Sequence, residues 1–224
     1  MFFQFYYYCI KSLVVDELEI AILLKKGESE IQDFKLEITS SQKIAKTIVA
    51  FANTFGGRLW IGVKDSGKVN GCDTLEERYM IEQAIAEYTK PCPHVEYEVH
   101  NFEDKEILEV KIPQGKNRPY YAKDENGKWI AFVRYKDNTI HAGIVTLESF
   151  KKIKKDILIK YSEIERNILV FISENPLCNL NTLVKEVSKP RFLIIKILSN
   201  LVATKIVKTV YRNNKEYFDI EEIN

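Results

Sequence analysis

The stretch Ala50-Phe51-Ala52-Asn53-Thr54-Phe55-Gly56-Gly57-Arg58-Leu59-Trp60-Ile61-Gly62-Val63 decides how this chain is read. Ahead of the paired glycines, Ile44, Ala45, Ile48, Val49 and Ala52 recur at helical spacing across residues 43–55, and Thr39, Ser40 and Ser41 offer an N-cap. Gly56 and Gly57 permit the left-handed backbone that ends a helix. Residues 59–63 then read as a buried strand, closed by the turn Asp65-Ser66-Gly67. A helix that turns directly into a buried strand belongs to a domain mixing both elements.

The flanks extend that pattern. Residues 15–25 carry a helical apolar stripe ended by Gly27, and residues 31–36 alternate as a strand. Downstream, a helix is expected over 74–88, stopped before Pro91, with strands at 95–99, 107–112, 120–122 and 129–135. Asn126-Gly127 marks a hairpin between the last two. The order implies an α+β domain ending near Thr146.

Beyond it the sequence becomes mostly helical. A lysine-rich connecting helix is expected over 148–159, then amphipathic helices over 162–173, 180–187 and 191–202, separated by Asn175-Pro176 and Lys189-Pro190. Strands at 206–211 and 216–220 flank the tip Arg212-Asn213-Asn214-Lys215. Three helices followed by a hairpin is winged-helix order, the second and third helices forming the helix-turn-helix. The expected division is 1–146, a connection at 147–161, and 162–224. Charge divides the same way: residues 151–224 hold 14 basic and 9 acidic side chains (+5), leaving 19 and 23 (−4) in residues 1–150. A basic tail on an acidic body suggests an anionic partner for the tail.

Hydrophobic residues at 46% and charged residues at 29% exclude long-range disorder. Cys9, Cys72, Cys92 and Cys178 are scattered without a CxxC pair, which points to a reducing compartment and free buried thiols. Cys92 and His94 have no second ligand pair at zinc-like spacing, so structural zinc is not expected. The aromatic opening, residues 1–10, lacks the basic and small-residue features of a signal peptide, and Lys11 and Asp16 interrupt it too soon for a membrane span. It reads as a packing element or a cover for a neighbouring subunit. The expectation is a cytoplasmic protein with no membrane partner.

Further pieces lie in register around the opening stretch: Gly27-Glu28-Ser29 and Asp33-Phe34-Lys35 before it, then Arg118-Pro119-Tyr120-Tyr121 and Phe132-Val133-Arg134-Tyr135-Lys136-Asp137-Asn138-Thr139 after it. Together these pieces, spread over half the chain, resemble the Schlafen AlbA_2 family, with its GES…EFK opening, AFANT-GG core and late VR-x-G-x-S/N-T segment. Two departures stand out: Asp33 replaces a glutamate, and Tyr135-Lys136 replaces a common valine-glycine. The resemblance implies a mixed sheet with helices and a nucleic-acid partner. Some members were long labelled divergent ATPases, yet no G-x-x-x-x-G-K-[ST] occurs here, because Val63-Lys64 follows Gly62 and Val69 follows Gly67-Lys68. ATP hydrolysis through a P-loop is not expected, and the chain reads more as a binding protein than an enzyme.

Some animal Schlafen proteins resemble metal-dependent RNA nucleases. Their three carboxylates, carried over through the shared motifs, fall on Glu28, Asp33 and Asp65. Carboxylates at two strand ends and a turn can converge on Mg2+ or Mn2+, which would activate water and neutralise phosphate charge. Acidic residues near loops are also ordinarily solvated, and Asp before Ser-Gly is a common turn former. Apart from that metal, no cofactor is implied. Lys35, Arg58 and Arg134 are the candidate phosphate contacts of the first domain, and Lys189, Arg191, Lys196, Arg212 and Lys215 those of the second. The reading these residues favour is a homodimeric transcriptional regulator that binds double-stranded DNA. A metal-dependent ribonuclease using Glu28, Asp33 and Asp65, and a protein-interaction adaptor, are its alternatives.

Overall fold

The computed structural model describes residues 17–102, 104–152 and 162–221; the aromatic opening and residues 153–161 of the expected connecting helix lie outside the described residues. Helix α1 (17–25) precedes β1 (Gln32–Lys35), α2 (Ser41–Asn53) and β2 (Gly56–Ile61). Then come α3 (Thr74–Tyr88), the short β3 (Thr89–Lys90), β4 (Glu96–Phe102) and β5 (Lys105–Pro113). The main sheet runs β1-β2-β5-β4, with β1 and β2 parallel and the other pairs antiparallel.

The pleat sorts its side chains. Leu59 and Ile61 join Leu108, Val110 and Ile112 beneath α2 and α3, whereas Trp60 turns to the opposite face, where α1 brings Ile20 and Leu24 against Phe34. Strands β6 (Tyr121–Lys123), β7 (Trp129–Ile130), β8 (Phe132–Tyr135) and β9 (Asn138–His141) form two small sheets, β3-β6-β7 and β8-β9, and β6, β8 and β9 contact α2. The single strand expected over 129–135 is thus broken at Ala131, and β9 was not foreseen.

Helix α2 starts from the Ser40 cap and stops at Thr54, two residues before the glycines. Gly56 and Gly57 instead open β2. Gly56 has φ +77°, and a Cβ there would lie 2.7 Å from the Ile112 carbonyl; one on Gly57 would overlap the Phe51 ring. The pair therefore allows a strand to pass closely between a helix and its neighbouring strand. Asn53 is fully buried and donates to the carbonyls of Tyr120 and Phe132 at 2.8 and 2.9 Å, while its Oδ1 accepts from Tyr120 N–H at 2.7 Å. It stitches the end of α2 to β6 and β8.

Helix α4 (Ile144–Phe150) starts four residues before the helix expected over 148–159 and gives way to a turn at Lys151 and Lys152; residues 153–159 of that expectation lie outside the described residues. It begins at Ile144 because Glu216 accepts from Val145 N–H and Thr146 N–H, serving as a distant cap. The remaining elements are α5 (Glu163–Glu174), β10 (Cys178–Asn179), α6 (Leu180–Val187), α7 (Arg191–Ala203), β11 (Val207–Arg212) and β12 (Lys215–Ile220). Ser162 and Glu165 form a capping box on α5, Asn179 caps α6, and left-handed Ser188 (φ 51°) turns α6 towards α7. The three strands pair in the order β10-β12-β11. Ile168, Ile172, Leu183, Ile194, Leu198, Leu201 and Phe218 form a second core, which Val145 of α4 also enters.

The architecture is mixed α+β, as the element order implies. No described helix is long and apolar enough to cross a membrane. Cys72, Cys92 and Cys178 are free thiols. Burial pushes Cys72 and Cys178 up to about 11, but Cys92 is exposed, which corrects the expectation of buried thiols.

Candidate functional site

Asp33 and Lys35 leave edge strand β1 on the face opposite Phe34, towards β8. Asp33 is buried, with Oδ1 3.3 Å from Nη1 of Arg134 and Oδ2 2.8 Å from Lys35 Nζ. The second contact is an ion pair off the hydrogen-bond axis, leaving Oδ2 without a hydrogen-bond donor. Glu28 curls over the strand, accepting from Phe34 N–H at 3.0 Å, with Lys35 Nζ 3.9 Å away. Burial foremost raises the Glu28 pKa; the Phe34 N–H opposes that, and the neighbouring Asp33 charge adds to it.

Arg134 was expected to meet phosphate, but its side chain is only 2% exposed. Besides Asp33, its guanidinium donates to the Ser29 carbonyl at 2.9 Å and Thr139 Oγ1 at 3.2 Å, and it lies 4.8 Å over the Phe51 ring. It joins β8 to β1 inside the protein and presents no surface to a nucleic acid, which corrects its assignment as a contact residue. Lys35 remains partly exposed. Asp65 sits exposed on the turn after β2, and the structure does not bring it into ligating range of Glu28 and Asp33.

A second ionic cluster, which sequence reasoning missed, occupies the other face of the main sheet. Glu98, His100 and Glu109 place ligand atoms within 4.8 Å of one another, the sole such trio among the described residues. Glu109 is 2% exposed and its Oε2 lies 2.8 Å from His100 Nε2. Arg58 stands 3.4 Å from Glu109 Oε1, and Lys111 contacts Glu98 and reaches Glu109 at 3.7 Å. Lys111 draws the Glu98 pKa down and is itself raised by Glu98. Two carboxylates are balanced by two cations, while Glu109 Oε1, buried beside Arg58, has no hydrogen-bond donor. Strand alternation puts Glu109 opposite Leu108 and Val110, which signals a solvent face and hides its burial.

The other predicted cations are surface groups. Lys189, Arg191 and Lys196 lie exposed at or near the start of α7, and Arg212 and Lys215 at the tip of the β11–β12 hairpin. Arg191 donates to Asn181 Oδ1 at 2.6 Å; none of the five shares an ion pair with a carboxylate among the described residues. Asn213 and Asn214 take φ 49° and 58°, giving the tight turn that projects this tip.

Fold and sites together define a mixed α+β domain, tied together by a buried carboxylate–guanidinium pair, with a helical unit bearing surface cations after it. Residues 28–143 match the Schlafen, AlbA_2 family, and the chain belongs to that family. A Methanocaldococcus jannaschii protein named probable DNA double-strand break repair nuclease NurA is 29% identical over 161 residues, 64% of this chain and 39% of that protein. The chain thus spans well under two thirds of that relative's length. The DIP2311 protein from Corynebacterium diphtheriae superposes with a TM-score of 0.45 at 14% identity, over 72% of this chain and 34% of that one. The N-terminal domain of a RecG-related protein from Nitrosomonas europaea gives a TM-score of 0.42 at 19% identity, over 65% and 95%.

Proposed function

We propose that the protein binds duplex DNA through its C-terminal unit, a winged helix, and acts as a transcriptional regulator. The observation carrying this reading is the order α5-β10-α6-α7-β11-β12, with carboxylate-free cations at the start of its third helix and at its hairpin tip. In winged helices the third helix enters the major groove and the hairpin meets the adjoining backbone or minor groove. Lys189, Arg191 and Lys196 take the first role, Arg212 and Lys215 the second. Lys35 and Arg58 add backbone contacts from the family domain, which ends near residue 146 and is joined by residues 147–161 to a winged helix over 162–224. The family and the DNA-repair name of the relative support nucleic acid as the partner class.

Anisotropy of a labelled duplex across a salt series tests this. Affinity falls with log salt at a slope of about −0.9 per phosphate neutralised, and an Arg212→Ala/Lys215→Ala variant reduces that slope by about 2. Salt-insensitive binding, or a variant with an unaltered slope, sinks the reading.

A metal-dependent ribonuclease is the second reading, favoured by the approach of Glu28 to Asp33; the relative's name speaks of a nuclease, but one of DNA. As the side chains stand, Lys35 and Arg134 neutralise that pair and Asp65 stays outside it, so a divalent cation does not fit unless Lys35 is displaced. RNA shortening by the wild type with Mn2+, abolished in Glu28→Gln, would establish it over the regulator; an intact probe rejects it.

A further inference from the structure

The turn that ends α2 forms one wall of a cleft of about 660 Å3 between the family domain and the C-terminal unit. Phe55 stands on this wall with 66% of its surface exposed, an aromatic ring that no core packing explains. Beside it, Arg118 donates to the Asn53 carbonyl at 3.3 Å and Gln114 donates to that of Thr54. The Arg118 bond places a cation at the C-terminal end of α2, where the helix dipole favours it, and leaves most guanidinium donors unused. Arg118 is half-buried, 5.3 Å from the Phe150 ring, and has no carboxylate partner among the described residues. Burial accordingly holds its pKa below the ordinary value. From the other unit come Lys205 and Lys208, likewise without carboxylate partners among the described residues. The acidic groups lining the cleft are Glu30, which accepts from Lys136 N–H, and Glu221.

We propose that this cleft binds one nucleotide unit, its base against Phe55 and its phosphate at Arg118, Lys205 and Lys208. A flat π-face beside a half-buried guanidinium and two solvent-accessible lysines is complementary to that combination: bases stack on aromatic rings whatever their identity, and guanidinium donors match phosphate oxygens. The volume lies within the range of small-molecule sites, which favour domain interfaces. The unit is either a free nucleotide or one residue of a single strand, since the chemistry is shared. The site is independent of duplex binding by the hairpin tip.

Calorimetric titration of the full chain with AMP, adenosine, inorganic phosphate and a short oligothymidylate tests the proposal. AMP binding identifies a free nucleotide; oligothymidylate binding without AMP binding identifies a strand. Phe55→Ala, at an exposed position, weakens whichever binds by about tenfold, as loss of one base stack requires. Lys205→Gln/Lys208→Gln weakens it comparably, and both variants avoid the fold risk of replacing Arg118. Arg212→Ala/Lys215→Ala leaves this binding unchanged while lowering duplex affinity, which separates the two claims. No binding of AMP or oligothymidylate at millimolar concentration overturns the proposal. So does binding that Phe55→Ala leaves intact, or phosphate binding as tight as AMP binding.

Discussion

Replacing Asp33 with asparagine isolates the structural part of the acidic site. Arg134 is 2% exposed and Asp33 5%, so the substitution leaves a buried guanidinium without its counter-charge. Removing one partner of such a pair costs about 3–5 kcal/mol. Arg134 keeps its bonds to Ser29 and Thr139, which places the expected loss near the lower end, about 3 kcal/mol. Lys35, partly exposed, regains water and adds little. With a urea dependence of about 2 kcal/mol per molar, the unfolding midpoint falls by about 1.5 M. Fluorescence of fully buried Trp60, on the neighbouring strand, reports the transition. Asp33→Asn/Arg134→Met removes both charges and restores at least half of the loss, giving a coupling energy of about 1.5 kcal/mol or more. A single-variant midpoint within about 0.3 M of wild type, a shift too small for a lost buried pair, would refute the reasoning. The result also governs nuclease tests: inactivity of an Asp33 variant reports folding as much as metal binding, so Glu28→Gln is the cleaner control.

Gly56→Ala forces a side chain into left-handed backbone 2.7 Å from the Ile112 carbonyl, and thermal unfolding should show a loss of about 2 kcal/mol. A neutral substitution would mean β2 shifts freely against β5. The pKa of Glu216 is raised foremost by burial, against hydrogen bonds from Thr146, Val145 and Tyr211 that lower it. A folded-state pKa above the ordinary 4.5 gives stability fully present below pH 4.5 and lost as pH rises through the elevated value. Glu216→Gln should therefore gain on wild type in melting temperature from pH 4.5 upward towards neutrality; a difference that narrows or reverses over that window counts against a desolvated carboxyl.

Helices were legible where stripe, cap and stop agreed. The expected 74–88 and 180–187 coincide with α3 and α6 because each has a side-chain cap and a definite end. Strands β3 and β10, two residues each, are defined by partners distant in sequence and carry no periodicity of their own. Strand β9 escaped because its hairpin turns through Lys136 at φ 57°, a conformation lysine does not advertise. The start of α4 at Ile144 was not legible because it depends on Glu216, some seventy residues away. Of the site, Glu28, Asp33 and Lys35 were legible through the motif, but burial of Arg134 was not, since an arginine near a strand end looks the same whether it faces water or a carboxylate. Arg118 lay inside a quoted motif, with nothing local to show that it lines a cleft.

Several motif residues are spent on holding the fold. Asn53 is consumed by three buried hydrogen bonds, Gly56 and Gly57 by close backbone passage, and Arg134 by Asp33 and Ser29. Thr54 is engaged as well, donating to the Ala50 carbonyl and accepting from Arg134 N–H. Substituting any of them disturbs packing before it touches a ligand, so loss of activity at these positions has little power to identify contacts. Phe55, in the middle of the same segment, has no such duty and faces the cleft. The segment thus acts as a rigid mount for Phe55, just as the turn at Asn213 and Asn214 mounts the hairpin tip. Variants at Phe55, Lys208, Arg212 and Lys215 can alter binding without altering the fold, and only that separation turns a binding measurement into evidence about function.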